Sequence, residues 1–318
     1  MSKLKWGLQS SPQHVSYCEL LELWQKADSL GYDSAWLFDH FIPITGLRTG
    51  PCFEGWTLLS ALAAQTTRLH VGCLVTSVIY RHPAVLAKMG ATLDVITSGR
   101  LELGIGAGWF EAETLAFGMP FPRTGERLAQ LDEALQVIRM LWTQDYSDFT
   151  GRHFTLTQAR CEPKPLQKPT PTIWVGGQGE KVTLRIVAKR ADGWDMDMLP
   201  LDVYDHKLEV LSGHCERAER DPATVQKTIH FAGVIAEDEH NAQKRAETLA
   251  QQWNTSVAEL RGRVLVGTPQ QAAEQLMTYV DRGVGHFVLS LAAPYDLKMV
   301  ELYINEVAPL VERLMENR

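Results

Sequence analysis

The sequence is poor in cysteine and has no long apolar run. Its five cysteines are an odd number without the spacing of a metal site, so we expect free thiols in a reducing compartment. No cationic stretch followed by an apolar run opens the sequence, and no apolar run reaches the length of a bilayer span. We therefore expect a cytoplasmic protein.

Basic charge and the common catalytic motifs are also lacking. The formal net charge of −7 argues against nucleic acid or an anionic membrane as the natural partner. The sequence shows no catalytic triad, nucleophile elbow, metal-binding His/Cys cluster or P-loop. Without a metal or a covalent nucleophile, a bound organic cofactor is the natural source of reactivity. We expect its partner to be a small-molecule substrate.

Strand and helix patterns alternate almost throughout the chain. Eight apolar, β-branched runs predict strands at residues 4–9, 34–38, 69–76, 101–105, 172–175, 193–196, 228–235 and 286–291. Such alternation indicates parallel strands joined by helices, in either a doubly wound sheet or a barrel. Eight units over 318 residues favour a (β/α)8 TIM barrel of the α/β class, formed by residues 1–318 as one domain.

One stretch breaks this alternation. Residues 145–171 contain two short extended pieces (DFTGRHFTLTQA) and then a proline-rich run. We interpret them as an insertion that carries a hairpin between the fourth and fifth strands.

A carboxylate and an imidazole follow the second predicted strand. Functional groups of a barrel lie at the C-terminal ends of its strands, where Asp39 and His40 fall. The imidazole of His40 can accept or donate a proton near neutral pH. The alternative is an exposed polar pair, or Asp39 as a helix cap. The other histidines lack such a placement and are interpreted as surface or packing residues.

Two glycine-rich turns follow the fourth and fifth predicted strands. The turn GIGAGWFEAE at residues 104–113 fails the dinucleotide fingerprint, because Trp109 stands where the third glycine belongs. It forms either a tight turn or a close approach to a flat ring or a phosphate. The turn WVGGQGEK at residues 174–181 precedes a helix and favours anion binding by backbone N–H groups. Lys181 and Arg185 either add charge there or lie on the helix surface.

Three segments together resemble the luciferase-like monooxygenase superfamily. They are SAWLFDHF (34–41), LVTSVIYRHPAVLAKMGATLDVITSGRLELGIGAGW (74–109) and CEPKPLQKPTPTIWVGGQGEK (161–181). Within the superfamily they are most similar to the coenzyme F420-dependent oxidoreductases. The resemblance implies a TIM barrel that binds a deazaflavin, and commonly a homodimer.

The resemblance also implies roles for individual residues. Asp39 and His40 would contact the polar edge of the deazaflavin and support proton transfer. The remaining cofactor contacts would come from three turns: Thr76, Ser77 and Val78; Gly106, Ala107 and Gly108; Gly176, Gly177, Gln178 and Gly179. A non-proline cis peptide is expected in the first turn, and we place it at Ser77-Val78.

One departure from the family pattern concerns substrate choice. Sugar-phosphate dehydrogenases of this branch carry a glutamate where this chain has Trp109, and the nearest acids here are Glu111 and Glu113. This departure argues against glucose 6-phosphate as the substrate. Trp109 is expected to line an apolar pocket or pack on the cofactor, and Glu113 to assist His40 in catalysis.

The leading hypothesis is hydride transfer between coenzyme F420 and a small organic substrate. The alternatives are an FMN-dependent monooxygenase on the same barrel, which would use O2, and a non-catalytic flavin-binding protein.

Overall fold

A computed structural model describes residues 3–317 of the chain. Its strands, in chain order, are β1 (Lys5–Ser10), β2 (Ser34–Leu37), β3 (His70–Cys73), β4 (Thr76–Ser77), β5 (Glu102–Gly106), β6 (Ser147–Thr150), β7 (Thr155–Ala159), β8 (Thr172–Gly176), β9 (Gly193–Asp197), β10 (Gln226–Ile235), β11 (Val264–Gly267) and β12 (His286–Leu291).

Helices separate most of these strands. The α-helices are α1 (Tyr17–Leu30), α2 (Gly55–Ala63), α3 (Pro83–Ile96), α4 (Glu111–Ala116), α5 (Thr124–Thr143), α6 (Thr183–Arg190), α7 (Leu201–Arg217), α8 (Glu239–Gln252), α9 (Val257–Leu260), α10 (Pro269–Val280), α11 (Leu297–Leu302) and α12 (Ala308–Glu316). A 3₁₀ turn spans Pro222–Thr224, and a π-helical turn spans Tyr303–Val307. Among residues 3–317, no helix is long and apolar enough to cross a membrane.

Parallel pairing arranges the strands as a barrel. The neighbours follow the order β3-β2-β1-β12-β10-β9-β8-β5-β4, with β3 and β4 as two pieces of the third strand. The ring closes between the third and fourth strands, through a bridge between Val71 and Leu101. All eight predicted strands are found, and the predicted α/β TIM barrel is confirmed.

The insertion is a two-stranded antiparallel hairpin. Strands β6 and β7 pair only with each other, between α5 and β8. This confirms the hairpin predicted within residues 145–171. Strand β11 was not predicted: it pairs with the last four residues of β10, of which only Ala232 also pairs with β12.

Local sequence signals set the helix ends. Gly31 ends α1 in a left-handed conformation with φ of 93°. Pro83 opens α3, where its missing N–H costs no hydrogen bond. Thr268 and Gln271 form a reciprocal capping box at the start of α10.

The non-proline cis peptide lies at Leu74-Val75, not at Ser77-Val78 as predicted. The predicted position is wrong because that segment belongs to the barrel: Ser77 pairs with Gly106, and the Val78 N–H donates to the Gly106 carbonyl at 2.9 Å. The ladder is interrupted earlier, between β3 and β4, where the cis bond is found.

Candidate active site

A cavity of about 610 Å³ opens at the C-terminal ends of the strands. Most of the predicted site residues line it: Asp39, His40, Thr76, Ser77, Gly106, Ala107, Gly108, Gly176, Gly177, Gln178 and Gly179. Val78 and Glu113 are buried and do not form part of the wall. The barrel therefore brings four separate segments of the sequence to one cavity.

His40 is held by a buried glutamate. Its Nδ1 lies 2.8 Å from Oε2 of Glu113, which is fully buried at the N-terminal end of α4. The imidazole lines the cavity. With Nδ1 donating to the carboxylate, Nε2 is the ring atom left to exchange a proton with a bound molecule.

Glu113 also fixes the backbone that follows β2. Its Oε1 accepts hydrogen bonds from the N–H groups of Phe41 at 2.6 Å and Ile42 at 2.9 Å, and the Tyr80 hydroxyl donates to its Oε2. Burial pushes the pKa of Glu113 upward, but the hydrogen bonds from His40 and Tyr80 outweigh it and leave the pKa lowered. The carboxylate is therefore ionised at neutral pH and faces His40, not the cavity.

Asp39 is occupied by an arginine that the sequence interpretation missed. Two guanidinium nitrogens of Arg81 lie 2.5 and 3.1 Å from the Asp39 carboxylate, and the Thr76 hydroxyl donates to it as well. Arg81 also binds Glu54, which caps the start of α2. Burial raises the pKa of Asp39, and Arg81 opposes the rise. Arg81 belongs to the string RHP (81–83), which leads into α3, and this string is the sequence signal that could have located it.

One glycine in each of the two turns leaves room for the side chain of Val75. A Cβ atom on Gly106 or Gly176 would lie 2.9 or 2.8 Å from a Val75 methyl group, too close for a real contact. The Val75 side chain thus fills the space that these glycines leave, and Val75 itself lines the cavity. An apolar wall is the result.

Gly108 lies over a hydroxyl with no protein partner. Its φ is +78°, and a Cβ there would lie 2.3 Å from Oγ of Ser77. That buried hydroxyl lines the cavity and makes no hydrogen bond within the described residues. A buried polar group without a partner costs free energy, which a bound ligand can recover.

The predicted anion loop connects β8 to α6. Gly177 has φ of +128°, and α6 begins without a side-chain cap. Among the first N–H groups of the helix, that of Leu184 already donates to the Gly179 carbonyl at 3.0 Å, and the others have no side-chain acceptor among the described residues. Lys181 and Arg185 do not line the cavity. Arg185 lines a separate depression between α5 and α6.

His230 corrects the interpretation of the remaining histidines as surface or packing residues. It lies on β10, lines the cavity, and bridges two carboxylates of β9: Nδ1 is 3.1 Å from Asp195 and Nε2 is 2.9 Å from Asp197. Burial would lower the pKa of His230, but the two carboxylates raise it well above its ordinary value. Acids at the end of β9 follow the same strand-end rule as Asp39, and that rule, extended to this strand, finds them.

Trp109 lies at the mouth of the cavity, as expected. Its side chain is 63% exposed and stacks on Phe110, with the two ring centroids 5.0 Å apart. It also contacts the His40 ring edge-on, with a centroid distance of 5.5 Å. An exposed aromatic side chain beside the imidazole is available to cover a bound molecule.

Known proteins resemble this chain over nearly its whole length. The model of a family described as luciferase-like monooxygenase matches residues 4–286. An F420-dependent glucose-6-phosphate dehydrogenase from Amycolatopsis mediterranei is 26% identical, over 98% of this chain and 99% of that protein. One from Kineococcus radiotolerans is 28% identical, over 97% of each. The structure of an F420-dependent secondary alcohol dehydrogenase in complex with an F420-acetone adduct superposes with a TM-score of 0.85 at 20% identity, over 98% and 99% of the two chains.

Proposed function

Because the chain belongs to the luciferase-like monooxygenase family, we propose that it is an F420-dependent oxidoreductase acting on a small organic substrate. The observation that carries the proposal is the His40–Glu113 pair, 2.8 Å apart, at a cavity that the glycine loop Gly176–Gly179 also lines. A proton carrier beside a site for a ring and a phosphate is what hydride transfer to or from an oxygen-bearing carbon needs.

The residues of the cavity fit a deazaflavin with a phosphate. The apolar wall at Val75 suits a flat ring, and the partnerless Ser77 hydroxyl suits a polar edge of that ring. The loop from Gly176 to Gly179 and the uncapped start of α6 suit the phosphate. When bound, the deazaflavin gives or takes a hydride at its C5 atom.

His40 manages the proton that accompanies the hydride. Glu113 fixes its tautomer, so Nε2 accepts a proton from a substrate hydroxyl, or returns one to a substrate carbonyl oxygen. The ionised carboxylate of Glu113 stabilises the imidazolium that forms in the first case.

Asp39 positions the site in this proposal. Both of its carboxylate oxygens are engaged by Arg81, so it orders the turn after β2 and the start of α3. The backbone beside Asp39, and not its carboxylate, would therefore contact the cofactor.

Cofactor identity is tested by purifying the protein from a host that makes both F420 and FMN. We expect F420, identified by mass and absorbance, at about one per chain. The matched variant Gly177→Ala, which places a side chain at φ of +128°, should retain less of it. Bound FMN together with O2 uptake in the presence of substrate would overturn the proposal.

A further inference from the structure

A second cavity of about 850 Å³ joins the first. The two share six wall residues: Gln9, Phe38, Ile44, Gln178, Asp197 and His230. The second cavity, called here the outer chamber, is bounded by the ends of β10 and β12 and by α8. A cofactor in the first cavity would leave the outer chamber for the substrate.

Apolar side chains dominate the wall of the outer chamber. They come from four different parts of the chain: Met198, Phe231, Leu249, Trp253, Leu291 and Met299. Three of these, Met198, Phe231 and Leu291, are at most 6% exposed. Such a wall gains free energy by burying the apolar surface of a ligand.

Positive charge is scarce in the same wall. In the described chain, neither cavity is lined by a lysine, and Arg263 is the one arginine among their wall residues. Arg263 is exposed and lies near Glu259, whose pKa it helps to lower. Phosphate sites in proteins are built from arginine forks, lysines and backbone N–H groups.

The titratable groups between the two cavities are mostly acidic. His230 lies between Asp195 and Asp197, so one basic side chain stands against two acidic ones. Asp197 is 67% exposed at its side chain and accepts a hydrogen bond from Gln178. Asp296, in the outer wall, is neutralised by Arg245 at 2.6 Å. A phosphate ester in the chamber would meet carboxylates before cations.

We propose that the outer chamber holds the body of the substrate, and that the substrate is an uncharged, largely apolar alcohol or carbonyl compound and not a sugar phosphate. This inference rests on the proposed function. In the oxidative direction the substrate carbinol carbon loses its hydrogen as a hydride to C5 of oxidised F420, and the hydroxyl proton goes to Nε2 of His40. The C–O single bond becomes C=O, so the alcohol is oxidised and the cofactor reduced.

The first test measures binding without turnover. Purified protein is titrated by calorimetry with straight-chain 2-ketones of increasing length and, separately, with glucose 6-phosphate. Each added CH2 should tighten binding up to about fourfold until the chamber is filled, with a negative heat-capacity change. Dissociation constants that do not depend on chain length, or tighter binding of glucose 6-phosphate than of the longest ketone, would overturn the inference.

Two variants each add a positive charge to α8, one in the wall of the chamber and one outside it. Leu249 is half-buried on α8 and lines the chamber, whereas Thr248 is exposed beside it and lines neither cavity. Leu249→Arg should weaken binding of the longest ketone by at least tenfold, and Thr248→Arg should leave it within twofold. Equal effects of the two variants would contradict the inference. The series with the unaltered protein decides the question even if Leu249→Arg does not fold.

The two proposals fail in different ways. Absence of F420 binding would overturn the proposed function. The chain-length series tests the inference separately, because it is measured on the protein without F420. F420 binding together with turnover of glucose 6-phosphate and no turnover of 2-alkanols supports the proposed function and overturns the inference.

Discussion

Each end of the barrel carries a buried glutamate and a buried histidine, and the two sets differ in what the histidine can reach. At the N-terminal end, Glu102 opens β5 and His286 opens β12. The ring nitrogens of His286 lie 2.8 Å from the Ser34 hydroxyl and 3.1 Å from the Thr228 hydroxyl. At the C-terminal end, Nδ1 is the one ring nitrogen of His40 that has a partner among residues 3–317, the carboxylate of Glu113.

Under the proposed function, this difference assigns one pair of residue types to stability at one end and to chemistry at the other. His286 is 2% exposed and has both nitrogens satisfied, so it can only pack. His40 keeps one nitrogen for the cavity that the strand ends create. The comparison predicts that changes at the N-terminal set alter the free energy of unfolding, and changes at the C-terminal set alter turnover.

The largest expected effect is a loss of stability in acid that arises at the N-terminal set. Burial lowers the pKa of His286 from 6.5 to about 4, so below pH 6.5 the unfolded chain binds a proton that the folded chain refuses. Although burial opposes it, His70 and Lys5 hold the pKa of Glu102 at about 2, against 4.5 when unfolded. The free energy of unfolding should therefore fall by about 3 kcal/mol between pH 6.5 and 4, and by about 3 kcal/mol more between pH 4.5 and 2.

Urea unfolding at a series of pH values measures both steps. In His286→Gln the first step should disappear, because the replaced side chain does not titrate. If the free energy of unfolding of the unaltered protein does not change from pH 6.5 to 4, the stabilising role given to His286 at the N-terminal end is wrong.

The next effect concerns the C-terminal set. Glu113→Gln removes the charge that faces His40, and hydrogen bonds to a charged group contribute about 1.5–3 kcal/mol. We expect kcat/KM to fall about 10- to 100-fold, because the imidazolium that forms during turnover loses its counter-charge. Steady-state kinetics measures this fall.

Glu102→Gln is the matched control for that experiment. It makes the same chemical change at the other end of the barrel, where it should destabilise the fold and leave kcat/KM within about twofold. If the two variants lower kcat/KM equally, the functional division between the ends is wrong.

A smaller effect is expected from a pair of glycines. Gly108 and Gly118 both have positive φ, +78° and +72°, but only at Gly108 would a Cβ meet a neighbour, Oγ of Ser77. Alanine at either position should cost about 1 kcal/mol of stability through its backbone conformation. Only Gly108→Ala should also weaken F420 binding, by about fivefold in a fluorescence titration. Equal affinity in both variants would remove Ser77 from the cofactor site.

Much of the fold follows from local patterns, and the errors occur where tertiary pairing decides. Hydrophobic runs located all eight barrel strands, because each carries buried residues on both of its faces. β11 was not predicted because its four residues pair outside the ring of the barrel, and the alternation of strands and helices does not indicate a strand there. The cis peptide was misplaced because the pairing of β4 with β5, not residue type, determines where the third strand breaks.

The candidate site was predicted at the ends of the second to fifth strands; Asp197 at the end of β9 was missed although the same rule applies to it, and the other missed residues come from elsewhere. Asp39, His40 and the two glycine turns line the cavity as the strand-end rule requires. Arg81 lies in the bend before α3, beyond the end of the predicted third strand, and only the folded chain shows it against Asp39. His230 lies within a strand, so alternation alone does not tell whether it faces the cavity or a helix. The homodimer and the cytoplasmic location stay predictions.

The most direct test of the account is to separate binding from turnover in His40→Ala. The dissociation constant of F420 and the turnover number are measured for this variant and the unaltered protein. We predict an F420 affinity within about threefold and a turnover lowered about 10²- to 10⁴-fold, because the variant loses the proton carrier and keeps the cavity. Turnover equal to that of the unaltered protein would contradict the account and remove His40 from the mechanism.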